Sequence, residues 1–448
     1  MYIDVNKPTV TCNQANSTLT IKQGDNKTLS SYFAVTPTGT NTAYTATYKI
    51  GSTAYENTST LAVGTHTVTC TATITGGNSN SATMTVIVES AGPAVDSNGL
   101  AKENVTIKPS ASSNVQIVIP AGWAPAKLTG SGGVNSLPTQ NGAVSGILPA
   151  NQWNNITVDQ INKGIVIVNG TSNYEEYVWV PIPDSSNFAR RAWQQLYEEY
   201  DEDYDEWYEW YDTQPLAETS TSNKYWEDKT TTEYKNMVSS VTTNKGFYVG
   251  RYESSQKSST VAQSKRGQTA WGDITQTNAI TYSANSSISN SHLIYGIEWD
   301  SILNWLIGKA TISSSTTGAT KTMELADIQT NSASWGNYSD STGRAATNAG
   351  SKRATGYSEY WKANNIYDLA GNASEWTQEK YSTGSGRIRR GGSCSGPGSS
   401  YPVAYRNDIY ASHTSSNVRL PCQLLLVNII KSTSKILKSK EKSGIIIM

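Results

Sequence analysis

Two acidic residues, Asp368 and Glu375, are the best placed to do chemistry, because they bracket a Gly-Asn turn in the segment "DLAGNASE". A chain that loops at this turn can direct both carboxylates and the backbone carbonyls between them toward one point. Hard cations such as Ca²⁺ prefer all-oxygen ligand sets of this kind. The segment therefore predicts a structural calcium site formed by Asp368, Gly371, Ala373 and Glu375. The alternative is that the two carboxylates cap the turn and pair with an arginine of the R-I-R-R run.

The thiol and imidazole groups are scattered along the chain. A zinc site needs three or four clustered ligands, and neither a CxxC nor an HExxH motif is present. Cys394 is disfavoured as a nucleophile because no histidine stands at a motif spacing from it. We therefore predict no catalytic residue and no zinc centre among the four cysteines and three histidines, which are Cys12, Cys70, Cys394, Cys422, His66, His292 and His413.

The segment 393–417, "SCSGPGSSYPVAYRNDIYASHTSSN", is rich in Ser, Gly, Tyr and Asn. These residue types combine rigid amphipathic anchors with adaptable hydrogen-bonding groups. We predict an exposed recognition surface here, with Trp376 packed beneath it. Its residues are Tyr401, Tyr405, Arg406, Asn407, Asp408 and Tyr410. The alternative is an ordinary surface loop.

An acidic and aromatic stretch, "FARRAWQQLYEEYDEDYDEWYEWYD", precedes these segments. Its aromatic residues recur at steps of three and four, which predicts a helical insertion over 187–213 with a packed aromatic stripe and a solvated acidic face. The functional alternative is an acidic ligand surface.

Overall composition excludes several classes of function. The chain of 448 residues has 35 Lys and Arg against 36 Asp and Glu, so its net charge of −1 gives no global electrostatic case for nucleic-acid binding. No run of 18 or more apolar residues and no signal-peptide pattern occurs. The chain contains 26 Tyr and 13 Trp residues but 3 Phe residues. Tyr and Trp carry a polar group on an aromatic ring, which favours partly solvent-exposed surfaces. We expect no membrane insertion and an extracellular, cell-surface or virion location.

Residues 1–90 contain short Thr- and Val-rich runs with period-two alternation, which predicts an all-β sandwich. The runs are 17–21, 42–48, 65–70 and 82–88. The segment "GTHTVTCTATITGGNSNSATMTVIV" resembles the last hairpin of bacterial immunoglobulin-like domains. Cys12 and Cys70 either form a disulfide or are two buried thiols. The Ala-, Gly- and Pro-containing stretch 91–104 predicts a linker.

Four sequence blocks follow residue 245 in this order: "GFYVGRYESS", "LIYGIEWDSILNWL", "NIYDLAGNASEWTQE" and "RIRRGGSCSG". Together they resemble the formylglycine-generating enzyme and sulfatase-modifying factor family, a variant of the C-type lectin fold. The resemblance implies an α+β, C-type-lectin-like domain over 105–418. It also implies calcium ligands at the four positions named above, with Ser374 replacing the family's usual Trp.

The resemblance does not extend to catalysis. The family's oxidases need two cysteines soon after the G-G-S block, whereas here Cys394 is followed by no cysteine until Cys422. The sulfoxide-synthase branch needs a histidine cluster, which the sequence lacks. Related scaffolds serve as receptor-binding proteins of phages and bacterial surfaces, and some of them are diversified by retroelements.

Residues 419–448 depart from the family pattern, which ends in N-I/V-G-F-R-V. Deletion of one adenine from a plausible coding sequence turns Val-Arg-Leu-Pro-Cys-Gln into Val-Gly-Phe-Arg-Val. We therefore expect a shifted-frame tail that replaces the last strand and leaves a sheet edge unpaired. The alternative is a basic amphipathic membrane helix.

The combined interpretation is a non-catalytic protein that recognises a cell-surface protein or glycan. An immunoglobulin-like domain would attach it to a virion or cell surface, and a variable loop on the lectin-like domain would bind the ligand. The alternatives are an oxidase of the same superfamily and a purely structural virion or surface protein.

Overall fold

The computed structural model describes residues 8–38, 42–129, 142–193, 196–201, 206–211, 225–286, 290–313, 320–381, 386–415, 418–419 and 424–425. The chain is rich in β-structure, and the described part contains five α-helices. It divides into two compact units. The first comprises 1–113, 119–160 and 167–174, and the second comprises 114–118, 161–166 and 175–448. The predicted domain boundaries at residues 90 and 105 stay a prediction.

The first unit begins with seven strands that form one five-stranded sheet and one two-stranded sheet. The strands are β1 Thr9–Cys12, β2 Thr18–Lys22, β3 Phe33–Thr36, β4 Tyr44–Ile50, β5 Thr53–Ala54, β6 Gly64–Ile74 and β7 Ser79–Glu89. The larger sheet has the order β2-β7-β6-β4-β5, with β2 parallel to β7, and β1 pairs with β3. The four strands predicted from period-two alternation are confirmed as β2, β4, β6 and β7.

Alternating residues of β6 and β7, among them Val68, Val86 and Val88, are buried in one core with Val10 of β1 and Phe33 of β3. Both sheets therefore contribute to a single hydrophobic layer, as the period-two pattern predicts for a sandwich. The disulfide considered between Cys12 and Cys70 is not formed, and both are free thiols. Burial raises the pKa of the Cys70 thiol, which favours its neutral form.

The remaining elements of the first part of the chain are short: β8 Val105–Ile107, β9 Ile117–Ile119, β10 Ala124–Leu128, β11 Val144–Ile147, α1 Val158–Asn162 and β12 Val166–Val168. Strand β10 pairs with β11 and with β12. The segment predicted as a linker contains a turn closed by a bridge between Val95 and Ala101. Leu100 and Ala101 are buried there, so this part of the segment is packed rather than extended.

The second unit contains most of the helices and the rest of the strands. In chain order these are β13 Glu176–Pro181, β14 Leu196–Asp201, β15 Glu206–Tyr211, β16 Tyr225–Trp226, α2 Thr232–Asn244, β17 Gly246–Gly250, β18 Ser254–Ser258, β19 Val261–Ser264, α3 Gln276–Ala284, β20 Ser291–His292, α4 Gly296–Leu306, β21 Thr311–Ser313, β22 Thr320–Thr322, α5 Leu325–Gln329, β23 Lys362–Ala363, β24 Ile366–Tyr367, β25 Ser374–Tyr381, β26 Gly386–Arg390, β27 Asn407–Tyr410, β28 Val418–Arg419 and β29 Leu424–Leu425.

Two sheets organise this unit. Strands β13, β17, β29 and β20 are neighbours in that order, while β16, β25, β26 and β27 form a second sheet that β28 joins by pairing with β25. Helix α4 is buried along almost its whole length, including its charged residues Glu298 and Asp300. The Glu298 carboxylate accepts a hydrogen bond from the Tyr295 backbone N–H at 2.9 Å, which satisfies a donor at the start of the helix.

The helix predicted over 187–213 is wrong in its central part, because β14 and β15 pair there as an antiparallel ribbon. Its register places Tyr197 opposite Trp210 and Tyr200 opposite Trp207. Aromatic residues favour strands and cross-strand pairing, and a spacing of three and four also satisfies this register. Both strands contain acidic residues and no basic ones. An isolated helix of this sequence would therefore gain no stabilising pairs of opposite charge.

The expectation of an unpaired sheet edge at the C-terminal end is also wrong. Leu424–Leu425 lies between β17 and β20 and pairs with both. Strand pairing uses backbone N–H and C=O groups, so residues of another sequence than the expected one can still fill this position. The other residues of the tail after 425 lie outside the described residues, as does Cys422.

Candidate functional site

The turn between β24 and β25 is held by a buried asparagine. Asn372 has a φ of +58°, its Nδ2 donates to the Glu253 carboxylate at 2.5 Å, and its Oδ1 accepts from Nδ2 of Asn337 at 3.1 Å. Gly371 has a φ of +76°, and a Cβ there would collide with the Asn337 carbonyl. A glycine followed by an asparagine is thus what this backbone requires.

The four residues predicted to bind calcium belong to this turn and the first residues of β25. Asp368 and Glu375 are both buried. Oδ2 of Asp368 accepts from the Gly356 backbone N–H at 2.6 Å, and the Ala373 N–H donates to Oε1 of Glu253. Among the described residues, no group of three His, Cys, Asp or Glu side chains is arranged to hold a metal ion. A set of two carboxylates and two carbonyls is a different arrangement, so the calcium site stays a prediction.

A buried cluster of charges lies beneath β26 and β27. Arg390 donates to Glu379 at 2.6 Å and to Asp300 at 3.1 Å. Arg406 donates to Glu379 at 2.7 Å and to both oxygens of Asp300 at 2.9 and 2.7 Å. Arg190 also pairs with Glu379 and Asp300, at 2.7 and 3.2 Å. We call these five residues the buried charge cluster.

The electrostatics of the cluster favour its ionised form. Burial opposes ionisation of Glu379, but the guanidinium groups of Arg406, Arg190 and Arg390 outweigh it and hold the pKa of Glu379 well below its usual range. Glu227 contacts Arg190 at 3.4 Å from the edge of the cluster. Burial dominates there, and the pKa of Glu227 is raised to about 7.

An open cavity of about 450 Å³ lies on the other side of the same strands. Its lining residues come from the start of β25, from β26 and the loop after it, and from β27 and the segment that follows it. Its lining residues are Ser374, Arg389, Gly392, Ser393, Ser395, Gly396, Tyr401, Tyr405, Asn407, Ile409, His413 and Ser415. We call it the β26–β27 cavity.

The cavity combines aromatic rings with hydrogen-bonding groups. The rings of Tyr401 and Tyr405 lie 5.2 Å apart at 83°, which is an edge-to-face arrangement. Nε of Arg389 donates to Oδ1 of Asn407 at 3.2 Å, so the amide fixes the position of the guanidinium. Ser374 donates its hydroxyl hydrogen to the Gly392 carbonyl at 3.1 Å.

The structure separates the six residues predicted to form the recognition surface. Tyr401, Tyr405 and Asn407 line the cavity. Asp408 and Tyr410 are exposed, Tyr410 at 71%, but they alternate with the lining residues of β27 and do not line it. Arg406 is only 8% exposed and belongs to the buried charge cluster, so its assignment to the exposed surface is wrong. Trp376 is fully buried and donates its indole N–H to the Ile274 carbonyl.

The sequence analysis missed Arg389 as a cavity residue. Within "RIRR", Ile388 and Arg390 are buried, whereas Arg387 and Arg389 are half-buried. This alternation was the available signal, because residues two apart on a strand share a face. The sequence does not show that β27 pairs with β26 and brings Asn407 opposite Arg389.

The positions of Cys394, His292 and His413 relative to the cavity serines bear on nucleophilic catalysis. Cys394 is buried and is not a lining residue, and His292 bonds with Glu298 at 3.0 Å. His413 lines the cavity, but its side chain makes no hydrogen bond to a serine in the part of the chain that the structure describes. A nucleophile and a base would have to lie within hydrogen-bonding reach of each other.

No protein-family model and no curated protein matches the chain. Several solved structures show similarity, and two of them are described here. Treponema denticola variable protein 1 is 14% identical, and the match covers 57% of this chain and 96% of that chain with a TM-score of 0.26. The second is the Bacteroides ovatus mixed-linkage glucan utilization locus SGBP-B in complex with mixed-linkage heptasaccharide. It is 15% identical, with coverage of 38% and 46% and a TM-score of 0.16. At these TM-scores neither similarity carries an argument about the site.

No helix of the described residues is long and apolar enough to span a membrane.

Proposed function

We propose that the chain is a non-catalytic ligand-binding protein and that its ligand is a surface glycan, one sugar residue of which occupies the β26–β27 cavity. The observation that carries this proposal is the composition of the cavity lining. Two tyrosine rings set at 83° stand beside hydroxyl, amide and guanidinium groups. A sugar has apolar C–H faces that pack on aromatic rings, and its rim of hydroxyl groups needs donors and acceptors.

The size and openness of the cavity suit a terminal sugar. A volume of about 450 Å³ lies within the range of roughly 300–1,000 Å³ that small-molecule sites occupy. The lining residue Tyr401 is 38% exposed, so the remainder of a glycan could extend past it into solvent. A protein ligand would instead be expected to engage the exposed Tyr410 on the other face of β27.

The proposal also includes a calcium site, a means of attachment and a source of variation in the cavity. A structural Ca²⁺ held by the carboxylates of Asp368 and Glu375 and the carbonyls of Gly371 and Ala373 would stabilise the turn before β25. The donor chemistry of these groups fits such an ion. The β-rich N-terminal part would attach the protein to a cell surface or a virion, and retroelement diversification would act on the cavity side chains.

The proposal is tested with the full chain on an array of neutral and acidic glycans. Replacement of Tyr405 or Asn407 by alanine should weaken binding by about tenfold or more, because centrally placed aromatic and polar anchors dominate such interfaces. The control is Tyr357→Ala, which removes a tyrosine that is 46% exposed and lies outside the cavity. Binding that is equally insensitive to all three substitutions would refute the cavity as the binding site.

A further inference from the structure

The permanent charge of the β26–β27 cavity is positive among its described lining residues. Arg389 carries the permanent charge among the residues that line it, and these include no Asp or Glu. The nearest acidic residue on β27, Asp408, is exposed and alternates with the lining residues Asn407 and Ile409. Among the described residues, the lining therefore presents a cation without a carboxylate to neutralise it.

The neighbouring arginines, Arg390 and Arg406, differ from Arg389 in the groups that they pair with. Arg390 and Arg406 each pair with two buried carboxylates at 2.6–3.1 Å. Arg389, next to Arg390 on the same strand, pairs with no carboxylate in the described part of the chain. Its side-chain contact there is the neutral Asn407 amide, which engages Nε and leaves the two terminal nitrogens for a ligand.

The position of Arg389 makes its lack of a counter-ion significant. Its side chain is half-buried, and burial lowers the pKa of its guanidinium, although the tyrosines beside it act in the opposite direction. A partly desolvated cation gains more from an anionic partner than a cation in bulk water does. The Asn407 contact also holds the guanidinium in place before the ligand arrives, which reduces the ordering cost of binding.

We infer that the sugar bound in the β26–β27 cavity is acidic and that its oxyanion, a carboxylate or a sulfate, accepts hydrogen bonds from the terminal nitrogens of Arg389. This inference rests on the proposed function and specifies its ligand class. Carboxylates and sulfates share the geometry that a guanidinium fork recognises. A neutral sugar would satisfy the hydroxyl and amide groups of the lining but would leave the Arg389 charge uncompensated.

The test compares matched pairs of glycans on the full-length protein, so that its first readout needs no variant. The pairs are sialyllactose with lactose, a glucuronate disaccharide with its carboxyl-reduced form, and sulfated lactose with lactose. At least one acidic member should bind about ten- to a hundredfold more tightly than its neutral partner, because hydrogen bonds to charged groups contribute more than neutral ones. A preference in the first or second pair would indicate a carboxylate ligand, and a preference in the third pair would indicate a sulfate ligand.

Variants then assign the effect to Arg389. Arg389→Gln should remove most of the preference for the acidic glycan, and Arg389→Lys should restore part of it, because lysine keeps the charge but not the fork. The matched control is Arg387→Gln, which makes the same change of charge two residues earlier on β26 and outside the cavity lining. A preference that Arg387→Gln removes equally would show that only overall charge matters and would overturn the inference.

The remaining outcomes separate this inference from the proposed function. Equal binding of acidic and neutral glycans, lost in Tyr405→Ala but kept in Arg389→Gln, would overturn the acidic-sugar inference and leave glycan binding in the cavity intact. Absence of binding to every glycan, or binding that Tyr405→Ala leaves unchanged, would overturn the proposed function and the inference with it.

Discussion

Replacement of Arg406 by methionine should destabilise the second unit strongly, even though Arg406 is flanked by the cavity residues Tyr405 and Asn407. The side chain of Arg406 makes three hydrogen bonds of 2.7–2.9 Å to Glu379 and Asp300, and all three groups are buried. Methionine can fill much of the same volume, but among the described residues it leaves the two carboxylates with Arg190 and Arg390 as their cationic partners.

The magnitude follows from the number and burial of these contacts. Hydrogen bonds to charged groups contribute about 1.5–3 kcal/mol each, and the two remaining arginines would recover part of the loss. Removal of one partner from a buried ion pair typically costs about 3–5 kcal/mol, which is the value we expect here. A loss of this size should lower the midpoint of urea unfolding without a large change in its slope.

The assay follows tryptophan fluorescence during urea unfolding. Trp123 and Trp153 belong to the first unit, so most of the 13 tryptophans report on the second unit. Arg387→Met is the matched control, since Arg387 is half-buried and outside the cluster, and it should change stability by less than about 1 kcal/mol. If Arg406→Met is as stable as this control and loses only ligand binding, Arg406 is a surface residue and the cluster is wrongly described.

Two further experiments test charged groups of the second unit. Burial raises the pKa of Glu227 to about 7 from 4.5, so the folded state keeps a proton that the unfolded chain has lost, and stability should fall by about 2–3 kcal/mol as pH rises from 4.5 to 8. Glu227→Gln should remove this contribution, and parallel pH profiles for the two proteins would contradict it. Millimolar calcium should raise the melting temperature, because an ion that binds only the folded state stabilises it. Asp368→Asn should abolish the increase and Asp408→Asn should not, and an unchanged melting temperature in the original protein would contradict the calcium site.

The N-terminal sheet could be predicted because its signals are local. Strand β6 alternates apolar and polar residues from Val68 to Ile74, every second residue of β7 from Met84 to Val88 is buried, and a turn-forming Gly-Gly-Asn joins the two strands. A period of two fixes which side chains face the core without knowledge of any distant partner. The acidic segment failed for the converse reason, since its aromatic spacing fits a helix face and also fits cross-strand pairs of an antiparallel ribbon.

The candidate site could be predicted only in part, because its position depends on contacts between distant residues. The composition of 393–417 drew attention to a segment that contains the lining residues Tyr401, Tyr405 and Asn407, and their role in ligand binding stays a prediction. It could not show that Asp300 of α4 and Glu379 of β25 would draw Arg406 inward. Composition describes which side chains are available, whereas strand register decides which face each of them occupies.

The alternation along β26 and into β27 connects the buried charge cluster to the cavity. Arg389 and Asn407 are direct partners in the register and line the cavity, while the adjacent residues Arg390 and Arg406 are buried and pair with Asp300 and Glu379. Each strand is thus anchored from below by an arginine whose neighbour presents a side chain to the ligand. Anchoring of this kind positions the cavity side chains before binding and reduces the entropy lost on association. It also means that Tyr401, Tyr405 and Asn407 do not themselves hold the ion pairs that secure the strands. Substitution of these three residues should therefore change ligand preference at a small cost in stability.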